Sequence, residues 1–130
     1  MTPVEASRAM YACVAAGDWA AVADFMADDF VIYEPPTLPY GGEWHGRDAL
    51  ESLYARVMGF WENPVVEWQE LVGGAEYAVA LLHFTVTVKA SGRRFATHIA
   101  EVTRFDDAGK MASMRIHYFD TGDMARQLAG

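Results

Sequence analysis

The hydrophobic period of this chain switches once, from helical to strand-like, and that switch leaves few folds open to it. As far as Trp61 the apolar residues recur every three or four positions; from Val65 onward they alternate or run in short β-branched stretches. Thr2, Pro3 and Glu5 make an N-cap, an N1 proline and a capping-box acid, and Val4, Ser7, Tyr11 and Val14 then share a helical face. Gly17 ends that helix, and Asp18 caps a second one in which Trp19, Val22, Ala23 and Met26 share a side. Phe30 to Tyr33 reads as a short strand, broken by Pro35, Pro36 and Pro39, with a loop running on to Gly46. Asp48 opens a third helix whose stripe is Leu50, Leu53, Tyr54, Val57, Met58 and Trp61, stopped by Asn63-Pro64.

A four-strand meander follows: Val65 to Val72, Tyr77 to Lys89, Phe95 to Phe105, and Met111 to Phe119. Gly73-Gly74, Ser91-Gly92 and Asp107-Ala108-Gly109 punctuate it. Phe84, Val86 and Val88 alternate with His83, Thr85 and Thr87. Helices segregated from strands predict an α+β domain over residues 1–130: a curved antiparallel sheet with three helices from the N-terminal half on its concave face, enclosing an apolar pocket.

Charge and composition narrow the partners. The net charge of −8 repels phosphate backbones, so nucleic acid is not expected. No Lys/Arg cluster is present to dock on anionic lipid, and no stretch approaches the ~20 apolar residues of a membrane span, so no membrane is expected either. Cys13 is the only cysteine, which rules out an internal disulfide; with no secretory segment before or after Met10 to Ala16, the reading is cytoplasmic.

Most chemical motifs are missing. His45, His83, His98 and His117 form no zinc-type pair, no G-x-S-x-G occurs, and Gly41-Gly42 lacks the rest of a phosphate loop. No metal and no cofactor are expected. What remains is acid–base chemistry in an apolar pocket. Glu34 ends an apolar strand and is followed by two prolines; inside a cavity its pKa would rise toward that of a useful base, whereas at an ordinary strand end it would be solvated. His98 shares a face with Ala96, Ala100 and Val102, small neighbours that leave room for a ligand, or it is a core histidine. Asp120 follows the last strand in alternation with Met114, Ile116 and Tyr118, either at a pocket mouth or in a turn before Thr121-Gly122. Tyr40, Trp44, Tyr54, Phe60, Trp61, Phe84, Met114 and Tyr118 are the candidates for substrate contact, though a small domain also needs such side chains for its core.

The chain resembles the NTF2-like superfamily, which includes ketosteroid isomerase and the SnoaL-like polyketide cyclases. The residues that carry the resemblance are Gly17-Asp18 with Phe25-Met26-Ala27-Asp28-Asp29-Phe30, then Glu34-Pro35, then His45-Gly46-Arg47-Asp48-Ala49-Leu50 leading to Tyr54, then Glu101-Val102-Thr103-Arg104-Phe105-Asp106 with Gly109. They span nearly the whole chain in order. The resemblance implies an NTF2-like cone with Glu34 at the place of the isomerase's proton-shuttling base. It implies His98 at the place of the isomerase's protonated aspartic acid, Tyr11 as the candidate for its tyrosine, and Asp120 with His98 for the acid–base pair of the cyclases. The expected function is a cofactor-free isomerase, lyase or cyclase that removes a proton next to a carbonyl of a small apolar substrate. The alternative is a non-catalytic module binding a small ligand or a protein. Epoxide hydrolysis, which the superfamily also supports, commonly needs an assisting Arg that the sequence does not place. A homodimer is expected through the sheet face away from the helices, with Thr85, Thr87, Ile99 and Thr103 on it.

Overall fold

Strand alternation sets which side of the sheet is dry. In the computed structural model, which describes residues 1–129, strand β4 (Tyr77–Val88) buries Ala78, Ala80, Leu82, Phe84, Val86 and Val88 and turns the residues between them outward. It lies between β3 (Trp61–Gly73) and β5 (Arg94–Phe105), and β5 pairs with β6 (Met111–Tyr118), all antiparallel. The early strand β1 (Met26–Glu34) pairs with β6 in parallel and with the short β2 (Gly42–His45) antiparallel. The sheet order is β2-β1-β6-β5-β4-β3.

Helix α1 (Pro3–Ala15) begins with the expected capping box: Thr2 and Glu5 each bond the other's backbone N–H. It ends at Gly17, whose φ of 69° lets the amides of Gly17 and Asp18 turn back to the carbonyls of Val14 and Cys13. Asp18 caps α2 (Trp19–Asp24) through the amide of Ala21. Helix α3 (Ala49–Val57) buries Ala49, Leu53 and Val57; Asp48 sits at its N-cap without a side-chain cap bond. Helices α1 and α3 pack on one face of the sheet, and Met10, Val22, Phe30, Ile32, Met111 and Met114 fill the space beneath them.

The structure corrects the sequence reading in six places. Helix α3 stops at Val57, and Trp61 opens β3. Asn63, at φ 52°, and Pro64 lie inside β3 where its register slips between Glu62 and Val65, a bulge that spares the ladder a proline. Met26 belongs to β1, which starts four residues before Phe30, and the loop ahead of Gly46 contains β2. The sheet has one parallel pair. A fourth helix, α4 (Thr121–Leu128), follows β6 and buries Met124 and Leu128. Finally, Ile99 and Thr103 are buried on the inner face and are not part of an outer surface. No helix among the described residues is long and apolar enough to cross a membrane.

Candidate functional site

Between the sheet and helices α1 and α3 lies a cavity of about 340 Å³. Its walls are apolar, built from side chains such as Leu53, Val57, Trp61, Leu82, Phe84, Ile99, Met114 and Ile116. Two carboxyls, Glu34 and Glu101, break that surface, together with the hydroxyls of Tyr11, Tyr54 and Tyr118.

Glu34 arrives there by parity. Phe30 and Ile32 are inward positions of β1, so Glu34 is the next, and it is only 6% exposed. Pro35 then ends the ladder, and the chain folds through two turns, with Leu38 N–H on the Pro35 carbonyl and Gly41 N–H on that of Leu38. A side chain at Gly41 would collide with the Pro35 carbonyl, so this loop depends on glycine there. The loop buries Tyr40 behind the cavity. Tyr40 Oη lies 2.9 Å from Tyr118 Oη, and Tyr118 donates to Glu34 Oε1 at 3.1 Å. When Glu34 is ionised the relay runs Tyr40 to Tyr118 to Glu34. Burial pushes the Glu34 pKa up to about 8; the Tyr118 hydrogen bond opposes the rise and the nearby Glu101 adds to it. Burial likewise raises the pKa values of Tyr118 and Tyr40.

Glu101 comes from β5. It pairs with Ile116 of β6, while Ile32 of β1 pairs with Met114, so Glu34 and Glu101 stand on the strands either side of Ile116. At ordinary strand spacing their backbones are about 10 Å apart. Tyr11, from α1, donates to Glu101 Oε1 at 2.7 Å and packs against Trp68 with ring centroids 4.7 Å apart. Burial raises the Glu101 pKa, with the Tyr11 bond opposing, and raises that of Tyr11. With two carboxyls in one low-dielectric cavity, ionising one holds the proton on the other.

The structure brings Glu34, Tyr11, Tyr54, Trp61, Phe84, Met114 and Tyr118 to the cavity wall. It does not bring the others. His98 is exposed on the opposite face of the sheet, stacked on its cross-strand partner His83 with centroids 4.9 Å apart. The β4–β5 register explains this: Phe84 pairs with Thr97, so the odd-numbered residues of β5 face inward. Asp120 is exposed and caps α4, accepting from the Asp123 amide at 2.9 Å. Tyr40 and Phe60 lie behind the wall, their rings 6.0 Å apart, and Trp44 donates its indole N–H to the Tyr40 carbonyl. Glu101 enters the sequence reading only as part of the family resemblance and is not singled out there as a site residue. The signal for it was the apolar spacing of Ile99 and Phe105, which share its face. Among the described residues no group of three or more His, Cys, Asp or Glu side chains is placed to hold a metal ion.

A curved sheet with helices over its inner face and an acid-bearing apolar cavity between them defines an NTF2-like α+β domain. The SnoaL-like domain family matches residues 7–114, and the chain belongs to that family. Solved structures agree. An NTF2-like protein of unknown function from Burkholderia pseudomallei is 25% identical over 100% of both chains, with a TM-score of 0.84. A protein from Mesorhizobium loti described as a SnoaL-like polyketide cyclase is 27% identical, over 91% of this chain and 100% of its own, at 0.67. A Mycobacterium tuberculosis protein solved with estradiol-17beta-hemisuccinate is 22% identical, over 95% and 98%, at 0.68. No curated protein has a matching sequence.

Proposed function

We propose that this domain is a cofactor-free acid–base enzyme that removes a proton next to the carbonyl of a small apolar substrate. The observation that carries this reading is Glu34: a carboxyl buried in an apolar wall, with a raised pKa of about 8 and hydrogen-bonded to Tyr118. Ionised Glu34 takes the proton from the carbon beside the carbonyl. The C–H electron pair moves into the new carbon–carbon double bond, and the carbonyl oxygen becomes an enolate oxygen. Protonated Glu101, itself accepting from Tyr11, donates to that oxygen in place of the His98 expected from the sequence. Returning the proton to a different carbon gives an isomer; losing a leaving group or attacking a second carbonyl gives a dehydrated or cyclised product.

Deuterium exchange into enolisable apolar ketones, followed by NMR, tests the step common to all three outcomes. Exchange should exceed the solvent background. Its rate should climb about tenfold per pH unit below pH 8 and level off above it, as the Glu34 carboxylate fraction saturates. Background-level exchange across a broad ketone panel sinks the proposal. A second reading, a non-catalytic pocket for an apolar ligand, is favoured by the estradiol derivative held by the mycobacterial relative. It corresponds to saturable binding of the same ketones with no exchange.

We also infer that two copies meet through the outer sheet face. Thr85 and Thr87 stand outward there, Leu81 is 38% exposed and Phe119 87%. Sedimentation equilibrium should give a dimer for the wild type and a monomer for Thr85→Arg; a wild-type monomer at tens of micromolar would refute it.

A further inference from the structure

The charge inventory of the cavity is one-sided. Its titratable groups are Tyr11 from α1, Glu34 from β1, Tyr54 from α3, Glu101 from β5 and Tyr118 from β6; β3 and β4 contribute only uncharged side chains. Among the described residues no Arg, Lys or His lines it, and their ion pairs leave both glutamates out. Each carboxyl accepts from a tyrosine and from no cation. Each also has an aromatic pair near it. Tyr11, which holds Glu101, packs on Trp68 at 4.7 Å. Tyr118, which holds Glu34, bonds Tyr40, whose ring meets Trp61 edge-on at 5.5 Å, and Trp61 meets Phe84 at 5.2 Å.

Two acids on an apolar cavity wall, Glu34 buried and Glu101 half-buried, with aromatic rings next to the tyrosines that hold them and no counter-charge, describe half of a salt bridge. The geometry points to a ligand class beyond neutral ketones: hydrophobic ammonium ions, with the cationic head between a carboxyl and an aromatic face and the apolar body in the rest of the cavity. Quaternary and tertiary heads suit it best, because their charge is spread over carbons, they shed water readily, and they ask for few or no hydrogen bonds from an apolar wall. A carboxylate or phosphate ligand would meet two acids and no base, and is excluded on the same grounds. This inference stands whether or not the site abstracts protons.

Because the acids hold their protons at low pH, an entering cation must displace one, and its affinity must depend on pH. The probes are benzyltrimethylammonium, its neutral isostere neopentylbenzene and the anion phenylacetate, titrated against wild type by tryptophan fluorescence at pH 6, 7 and 8. The ammonium should bind about tenfold tighter from pH 6 to 7 and about fivefold tighter from 7 to 8 and exceed the isostere at pH 8, while the isostere shows no pH dependence and phenylacetate does not bind. In the double variant Glu34→Gln, Glu101→Gln the isostere should still bind, which reports an intact pocket, and the preference for ammonium should vanish. Ammonium binding that is flat with pH, weaker than the isostere at pH 8, or unchanged in the double variant overturns the inference. Ketone exchange plays no part in this readout, so either idea can fail alone.

Discussion

Glu34→Gln is expected to abolish proton abstraction and to make the protein more stable. The two effects have one origin. An ordinary glutamate titrates near 4.5, but at position 34 burial lifts the value to about 8. Below pH 4.5 the carboxyl is neutral in both folded and unfolded chains and costs nothing. Between 4.5 and 8 the unfolded chain releases the proton while the folded chain keeps it, so stability falls as pH rises. Above 8 the folded chain carries the buried charge and the full penalty is present. That penalty is about 3 kcal/mol at pH 7 and approaches 5 kcal/mol by pH 9, at roughly 1.4 kcal/mol per pKa unit. Glutamine keeps the shape and an acceptor for Tyr118 but has nothing to ionise. Urea unfolding of both proteins at pH 5, 7 and 9 should therefore show near-equality at the lowest pH and a widening advantage for the variant. Ketone exchange by the variant should fall to background at all three. A variant that exchanges like the wild type, or that is the less stable at pH 9, contradicts the placement of an ionisable base in a dry wall.

The second large effect is expected from the other carboxyl of the cavity, Glu101. Tyr11→Phe removes the hydroxyl that donates to Glu101 and, on the proposed mechanism, the bond that would steady the acid against an enolate oxygen. Loss of one such donor typically costs about a hundredfold or more in turnover. Glu101→Leu should cost at least as much, because it removes the proton that would face the oxygen. Glu101→Gln should do less harm, since an amide N–H can still donate. The pH at which exchange levels off should stay near that of the wild type in Tyr11→Phe, because Glu34 remains the base. Turnover within a few-fold of wild type in both Tyr11→Phe and Glu101→Leu would take the oxyanion role away from this pair. His98→Ala, on the far face of the sheet, is the natural reference protein for these assays.

Much of the architecture was legible because it is written in local pattern. The capping box at Thr2 and Glu5, the left-handed turn at Gly17 and the alternation in β4 depend on neighbours a few residues apart, and each is in the structure where the sequence predicts it. Helix α4 was hidden because Asp120 reads from the sequence as a pocket-mouth acid or a turn residue, and only the burial of Met124 and Leu128 in the core makes the segment after it a helix that Asp120 caps. The proline at 64 misled for a similar reason. Proline stops a helix from sequence alone, but a bulge can carry it inside a strand once a partner strand is there to slip against.

The candidate site divides along the same line. Glu34 could be found from the sequence because it follows Phe30 and Ile32 at even spacing and its strand is ended by Pro35, so its direction depends on one strand alone. Glu101 and His98 could not, because which of them faces the cavity depends on how β5 is paired with β4. The pairing places Phe84 opposite Thr97, and a shift of one residue would have exchanged the two. The sequence by itself thus determined most of the elements, the fold class and one candidate acid, all consequences of short-range chain stereochemistry and apolar spacing. The second acid, its tyrosine partner and the absence of any cation between them were decided by strand register and by the docking of α1 across the sheet, since those contacts join residues ninety positions apart that no local pattern relates.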